Sequence, residues 1–197
     1  MAIRKEIIDL MSIGCNAIGQ SFRGLKICEL GNQYVKDHPK FKTAKQYLTT
    51  LGVDHISFDL NGEDGAMKID LSIPIVQWNN YFEMVTNYGT SEHVSNQYMV
   101  FKNIHDLVRK GGVMVHASPE AGYWCHHGKV NYEKWFFDKL AEKNNYEVIV
   151  GKSIKKLDRP LPKDLYFLCA VMIKKSNKEF ISIEDFNDIN GIRKTER

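Results

Sequence analysis

The 197-residue chain lacks several features that would settle its class at once. No two cysteines are spaced CxxC: Cys15, Cys28, Cys125 and Cys169 lie far apart, mostly within apolar runs. That pattern points to reduced thiols in a cytoplasmic setting rather than to a disulfide framework or a zinc ribbon. No apolar run is long enough to span a bilayer. The opening MAIRKEIIDLMSIGCNAIG carries charges inside its apolar pattern and reads as an amphipathic helix, not a signal peptide. A strong charge of one sign is absent as well. The net charge of +3 and the lack of a concentrated basic stripe give no footprint for nucleic acid or an anionic membrane. Without a GxGxxG stretch, a nicotinamide dehydrogenase is disfavoured. There is no internal repeat and no low-complexity linker, and nothing in the composition encodes an oligomeric state. What is present is 43% hydrophobic and 26% charged residues, enough for one domain with a sizeable core.

The apolar periodicity organises this core. Ile3, Ile7, Leu10, Met11 and Ile18 recur at helical spacing, which predicts an N-terminal helix within residues 1–20. LKICEL (25–30), HISFDL (55–60), MKIDL (67–71), YFEMVTN (81–87) and VMVHAS (113–118) read as strands. YEVIVG (146–151) and LYFLCAVMIKK (165–175) follow them, joined by a polar loop, KSIKKLDRPLPKD (152–164). Helices are expected over FKTAKQYLTTLG, with Gly52 as C-cap, over NQYMVFKNIHDLVRKGG, stopped by Gly111-Gly112, and over NYEKWFFDKLAEKNN, with Asn131 as N-cap. His105 on the second of these reads as a partly exposed surface residue. After Lys175 the chain turns polar, so residues 176–197 are expected as a loosely packed tail on a domain of residues 1–175. Strands alternating with helices predict an α/β, doubly wound, mostly parallel sheet, whose ligands bind beyond the carboxyl ends of the strands.

Polar residues do gather there. Glu29, Asp59 and Asp70 close three successive strands. A carboxylate after the second could accept from two ribose hydroxyls, and one after the third from an adenine amino group. Asp also ends strands simply because it favours turns. These residues, together with FEMVTNYGTSEHV and NIHDLVRKGGVMVHASP, resemble the class I S-adenosylmethionine-dependent methyltransferases, and in particular the small-molecule branch that includes enzymes of quinone biosynthesis. The likeness runs from about Leu25 to Lys174. It implies a seven-stranded Rossmann-like sheet with an antiparallel last strand, S-adenosylmethionine as cofactor and a small-molecule acceptor. The cofactor would be held by Glu29, Gly31, Asn32, Asp59, Asp70 and Asn87.

Two departures accompany the resemblance. The family's loop usually reads E/D-x-G-x-G-x-G, whereas here it is ELGNQYV, with one glycine. DLNGEDGAMKID is too short for a helix between the second and third strands, so a glycine-rich turn is expected instead. A binding or assembly module that has lost catalysis therefore stands as the alternative. GTSEH half-matches the GxSxG elbow of hydrolases but lacks the final glycine that its sharp turn needs.

Among the histidines, His93 follows the fourth strand, where Glu92 reads as a helix-start cap. His126 and His127 follow the fifth strand beside Tyr123 and Trp124, which could supply apolar surface for an acceptor. The expectation is that His126 or His127, rather than His93, makes the catalytic acceptor contact. Adjacent histidines in extended chain point in different directions, and the spacing of His116, Cys125, His126 and His127 matches no zinc pattern. No metal site is expected.

Overall fold

The computed structural model describes residues 2–36, 40–155 and 165–195. In chain order the elements are β1 (Ala2–Ile3), α1 (Lys5–Ala17), β2 (Lys26–Leu30), β3 (Tyr34–Val35), α2 (Ala44–Thr50), β4 (Asp54–Asp59), β5 (Met67–Lys68), β6 (Phe82–Tyr88), a 3-10 turn (Ser91–His93), α3 (Gln97–Leu107), β7 (Val108–Pro119), β8 (Val130–Tyr132), α4 (Phe136–Asn144), β9 (Tyr146–Lys155), β10 (Tyr166–Lys174), α5 (Ile183–Asn187) and β11 (Ile192–Lys194). Residues 156–164, most of the expected polar loop, lie outside the described residues.

Seven strands form the central sheet in the order β5-β4-β2-β6-β7-β10-β9. β5, β4, β2, β6 and β7 pair in parallel, while β10 runs antiparallel to both β7 and β9. The expected doubly wound sheet with an antiparallel last strand is what is found. Its strand order reverses between β2 and β6, which makes the carboxyl ends of those strands the natural ligand crevice. Pairs β1-β3 and β8-β11 form two small separate sheets.

Period-two alternation gives the sheet two apolar faces. Ile27, Met84, Val113, Val115 and Val171 face α1 and α2, packing with Ile7, Leu10, Met11, Ala44 and Leu48. Cys28, Leu30, Val85, Met114, Ala170 and Met172 face α3 and α4, packing with Phe101, Ile104, Phe136, Phe137 and Leu140. Helix α2 starts on a capping box: Thr43 accepts from the Gln46 amide while the Gln46 side chain accepts from the amide of Thr43. Two N–H groups that the first turn would leave without partners are thereby satisfied.

Four sequence expectations need correction. Helix α3 ends at Leu107, before the Gly-Gly pair, and Val108 already pairs with Phe82 in the sheet. Residues 109–112 bulge out of β7, with Arg109 reaching Glu83 at 3.3 Å. The helix stops because Lys174, buried in β10, donates from Nζ to the carbonyls of His105 (2.7 Å) and Val108 (3.0 Å), a cation at the negative end of the helix. Burial pulls the Lys174 ammonium down to about 8. Asn131 is no N-cap; it lies in β8 and donates to the Trp124 carbonyl at 2.8 Å, while α4 begins after Trp135. Nor does the segment after Lys175 hang loosely. Phe180, Phe186 and Ile189 are buried and β11 pairs with β8. Phe180 also packs on His105 (5.6 Å between ring centroids), whose Nε2 lies 2.9 Å from the Lys178 carbonyl and whose Nδ1 lies 2.6 Å from the Tyr146 hydroxyl. His105 is thus buried, not a surface residue, and burial lowers it to about 4.

Between β4 and β5 the expected glycine-rich turn replaces a helix, with Gly62, Asp64 and Gly65 all at positive φ. The chain from β5 to β6 is likewise irregular. Asn103 of α3 pins it, accepting from the Ile75 amide and donating to the carbonyls of Leu71 and Ile73. That anchor fixes Asp70 and Ser72 at the sheet's carboxyl edge. Among the described residues no helix is long and apolar enough to cross a membrane.

Candidate functional site

A cleft of about 450 Å³ opens at the carboxyl ends of β2, β4, β5 and β6, within the size range of small-molecule sites. Gly31, Asn32 and Gln33 form its floor. Phe58, Asp59, Leu60, Ile69, Asp70, Leu71 and Ser72 supply one wall, and Gly89, Thr90, His93, Val94, Ser95 and Lys129 the other.

The floor is set by one glycine. Gly31 has φ +81°, and a Cβ there would meet Thr90 Oγ1 at 2.4 Å and Gln33 Nε2 at 2.7 Å. Thr90 Oγ1 donates to the Leu30 carbonyl (2.8 Å) and accepts from Gln33 Nε2 (3.1 Å), which ties the loop after β6 to the loop after β2. Asp59 accepts the amide of Asn32 at 2.8 Å and that of Asn61 at 3.0 Å. Asn32 turns its own amide to the Glu63 carbonyl (3.1 Å). Asp70 accepts the Ser72 amide at 2.8 Å, and that bond, with the Ser72 hydroxyl, holds its carboxyl below the ordinary value.

The opposite wall is a rigid turn. Asn87 is fully buried; its Oδ1 accepts the Ser91 amide (3.1 Å) and its Nδ2 donates to Ser91 Oγ (2.9 Å). Nδ2 also approaches Nδ1 of buried His116 at 3.2 Å, and burial lowers that imidazole to about 3. Gln97 Nε2 donates to the carbonyls of Ser91 and Val94. The Tyr132 hydroxyl of β8 sits 2.8 Å from Ser91 Oγ and 2.7 Å from Gln97 Oε1. Held this way, the turn points Glu92 inward, fully buried, and leaves His93 half exposed on the cleft. Gly128 packs against Glu92 so closely that a Cβ would lie 2.8 Å from its Cγ, and the Lys129 amide donates to the Glu92 carbonyl. His127 Nε2 consequently stands 3.5 Å from Glu92 Oε1, and His93 Nε2 3.9 Å from the same oxygen. Desolvation lowers His93 below the ordinary imidazole value, partly opposed by Glu92 and reinforced by His127 and Lys129.

No protein-family model matches the sequence, and no curated protein is significantly similar to it. Solved structures are similar in fold. A 1,6-didemethyltoxoflavin-N1-methyltransferase of Burkholderia thailandensis, with bound 1,6-didemethyltoxoflavin and S-adenosylhomocysteine, superposes with a TM-score of 0.63 at 14% identity, over 87% of this chain and 79% of its own. An S-adenosylmethionine-dependent methyltransferase of Methanosarcina mazei gives 0.58 at 9% identity, over 88% and 99% of the two chains. The fold is that of the S-adenosylmethionine-dependent methyltransferases. A cyclase, SpnF, shares it too, with a TM-score of 0.54 at 10% identity over 75% of this chain and 59% of its own. The methyltransferase fold by itself therefore does not name a reaction.

Within this methyltransferase fold, Gly31, Asn32, Asp59, Asp70 and His93 come together on one cleft. The other four expected residues, Glu29, Asn87, His126 and His127, do not line it. Glu29 shares the α1/α2 face with Ile27 and lies buried 3.5 Å from His55; burial raises its carboxyl, against the pull of His55. The alternation of β2 aims it sideways into the core rather than out of the strand end. Asn87 is consumed in bracing the turn. His126, at φ +57°, lines a second cavity with Cys125, Trp124 and Arg193. Of the three histidines expected near the acceptor, His93 faces the cleft, with His127 beside it at 5.2 Å between ring centroids. Thr90, Ser72 and Lys129 were not foreseen as lining residues. Glu92, foreseen as a cap, caps nothing; Asn96 caps α3 by accepting the Met99 amide.

Proposed function

We propose that this chain is an S-adenosylmethionine-dependent methyltransferase acting on a small-molecule acceptor in the cytoplasm. The observation that carries this reading is the joint placement of Gly31, Asp59 and Asp70 around one cleft at the switch point of a methyltransferase fold. The cofactor would supply a methyl group on a sulfonium. Asp59 would accept the ribose hydroxyls with the lone pairs left free by its two backbone bonds. Asp70 would take the adenine amino group, with Phe58, Leu60, Ile69 and Leu71 as its apolar surroundings. Gly31 and the Asn32 backbone would flank the methionine end, where a side chain on Gly31 has no room.

The acceptor would enter past His93 and Lys129. The chain's contribution is mostly alignment, an in-line approach at roughly 3 Å with entropy prepaid by binding. Where the acceptor carries a proton, His93 would take it, its basic form favoured at neutral pH by partial burial. The toxoflavin methyltransferase, which holds a small heterocycle, supports a small acceptor by analogy. The competing reading, a module without catalysis, arose from the single glycine; because Asn32 directs its side chain to Glu63, that residue need not fill the cleft.

Isothermal calorimetry with S-adenosylmethionine and S-adenosylhomocysteine tests the proposal. Binding of both in the micromolar range is expected. Failure to bind either at millimolar concentration would remove the enzyme reading.

A further inference from the structure

The wall opposite the nucleotide side contains a group that methyl transfer alone does not explain. Both carboxylate oxygens of Glu92 are buried, and among the described residues no hydrogen-bond donor reaches either of them; the same holds for Nε2 of His127. A buried carboxylate without a hydrogen-bond donor is costly unless a cation compensates it. Lys129 does not pair with it directly; its ammonium donates to Ser95 Oγ at 2.6 Å. The fold nevertheless enforces this burial. The turn carrying Glu92 is braced by Asn87, Gln97 and Tyr132, and Gly128 is the residue that lets the following loop close over it.

We infer that Glu92, His93 and His127 form a binding site for one divalent first-row transition ion of the zinc or ferrous class. One ligand atom from each residue lies within 4.8 Å of the others. Around an ion with bonds of about 2.0–2.1 Å, ligand atoms stand roughly 3 Å apart. The observed 3.5 Å and 3.9 Å from Glu92 to His127 and His93 thus need a contraction of roughly 0.5 to 0.9 Å. The exposed ring of His93 and the half-buried ring of His127 can supply it by rotation about their side-chain bonds. Two imidazoles and one carboxylate suit a borderline ion rather than magnesium or calcium. The carboxylate is sealed from solvent while both imidazoles are partly open. The free coordination positions therefore face outward past His93, to the cleft, where an oxygen or nitrogen donor of a small molecule could complete the shell. The positive charge of Lys129 opposes the ion, while the buried carboxylate of Glu92 attracts it.

This site shares His93 with the proposed acceptor side, where an ion would occupy the imidazole nitrogen in place of a proton, and it is tested without activity. Full-length protein is stripped with chelator and dialysed to equilibrium against Zn2+, anaerobically against Fe2+, and against Mg2+. Co2+ serves as a spectroscopic probe through its visible absorption. One Zn2+ or Fe2+ per chain in the micromolar range is expected, with Mg2+ much weaker. Glu92→Gln, His93→Ala and His127→Ala should each weaken binding by about tenfold or more, and His126→Ala should leave it unchanged. His93 is exposed, so its variant reports even where a change at Glu92 unfolds the chain. Absence of stoichiometric Zn2+ and Fe2+ binding, or binding that survives His93→Ala and His127→Ala unaltered, overturns the assignment. Calorimetry with S-adenosylhomocysteine on the stripped protein reads the methyltransferase proposal separately, so the two fail independently.

Discussion

Replacing Gly31 by alanine probes the point where the loops after β2 and β6 meet. The backbone there is left-handed, at φ +81°, which costs an alanine about 1 kcal/mol. The new methyl would also sit 2.4 Å from Thr90 Oγ1, a distance no packing tolerates, so Thr90 must move. Moving it breaks its bond to the Leu30 carbonyl and the bond it receives from Gln33, each worth about 1 kcal/mol net. The sum is a loss of about 3 kcal/mol, which for a chain of this size lowers Tm by about 10 °C. The assay is urea and thermal unfolding of Gly31→Ala, Thr90→Ala and the double variant. Because both single variants lose the same two Thr90 bonds, the double variant should be more stable than the sum of the single losses predicts, by about 2 kcal/mol. Gly31→Ala within about 0.5 kcal/mol of the parent, or strict additivity of the two changes, would refute the reasoning.

Other outcomes follow from the same geometry. Asp59→Asn keeps the shape but removes the charge, so S-adenosylmethionine affinity should fall about 5- to 150-fold, equivalent to about 1–3 kcal/mol; unchanged calorimetric affinity in a folded variant would mean the wrong acid was assigned. Ending the chain after Lys175 removes buried Phe180, Phe186 and Ile189, each worth about 2 kcal/mol. That total of about 6 kcal/mol approaches the stability of a typical domain, so circular dichroism should show no cooperative melting at ambient temperature. Acid should destabilise the protein well above the carboxylate range. His105 and His116 are lowered to about 4 and about 3 in the folded state, so the unfolded chain binds protons first, and stability is lost as pH falls from about 6.5 towards those values. Between pH 7 and 5 the loss should be about 2 kcal/mol per histidine, measurable by urea unfolding. The raised carboxyl of Glu29 acts in the opposite direction at the acid end, and a flat profile from pH 7 to 5 would contradict the burial of both imidazoles.

The parts of the fold that were legible in the sequence are those governed by local period. Strands β2, β4 and β6 are short apolar runs with polar ends, and α1 and α2 carry their apolar stripes at helical spacing. The parallel sheet and its carboxyl-edge cleft follow from that alternation, and with them Asp59 and Asp70. What was not legible depends on contacts far apart in sequence. The end of α3 is set by Lys174, and the depth of His105 by Phe180 and Lys178. Glu29 stands two residues before a glycine, as a cofactor ligand would, yet the alternation of β2 turns it into the core, against a His55 that only strand pairing brings near. The approach of Glu92 to His127 spans two loops and needs Gly128. Spacing rules for metal sites assume ligands from one segment and pass over such a set.

The C-terminal segment gives the two sides of the cleft different histories. The nucleotide side is made by residues 31–72, which can pair and pack once β6 has followed β2 and β4. The loop bearing His127, Gly128 and Lys129 is fastened by Thr195, whose amide donates to the Lys129 carbonyl and whose hydroxyl donates to that of Gly128 at 2.8 Å. During synthesis that clasp cannot close until residue 195 has cleared the ribosome. A nascent chain would therefore form the side built from residues 31–72 well before the loop bearing His127 is fastened in place.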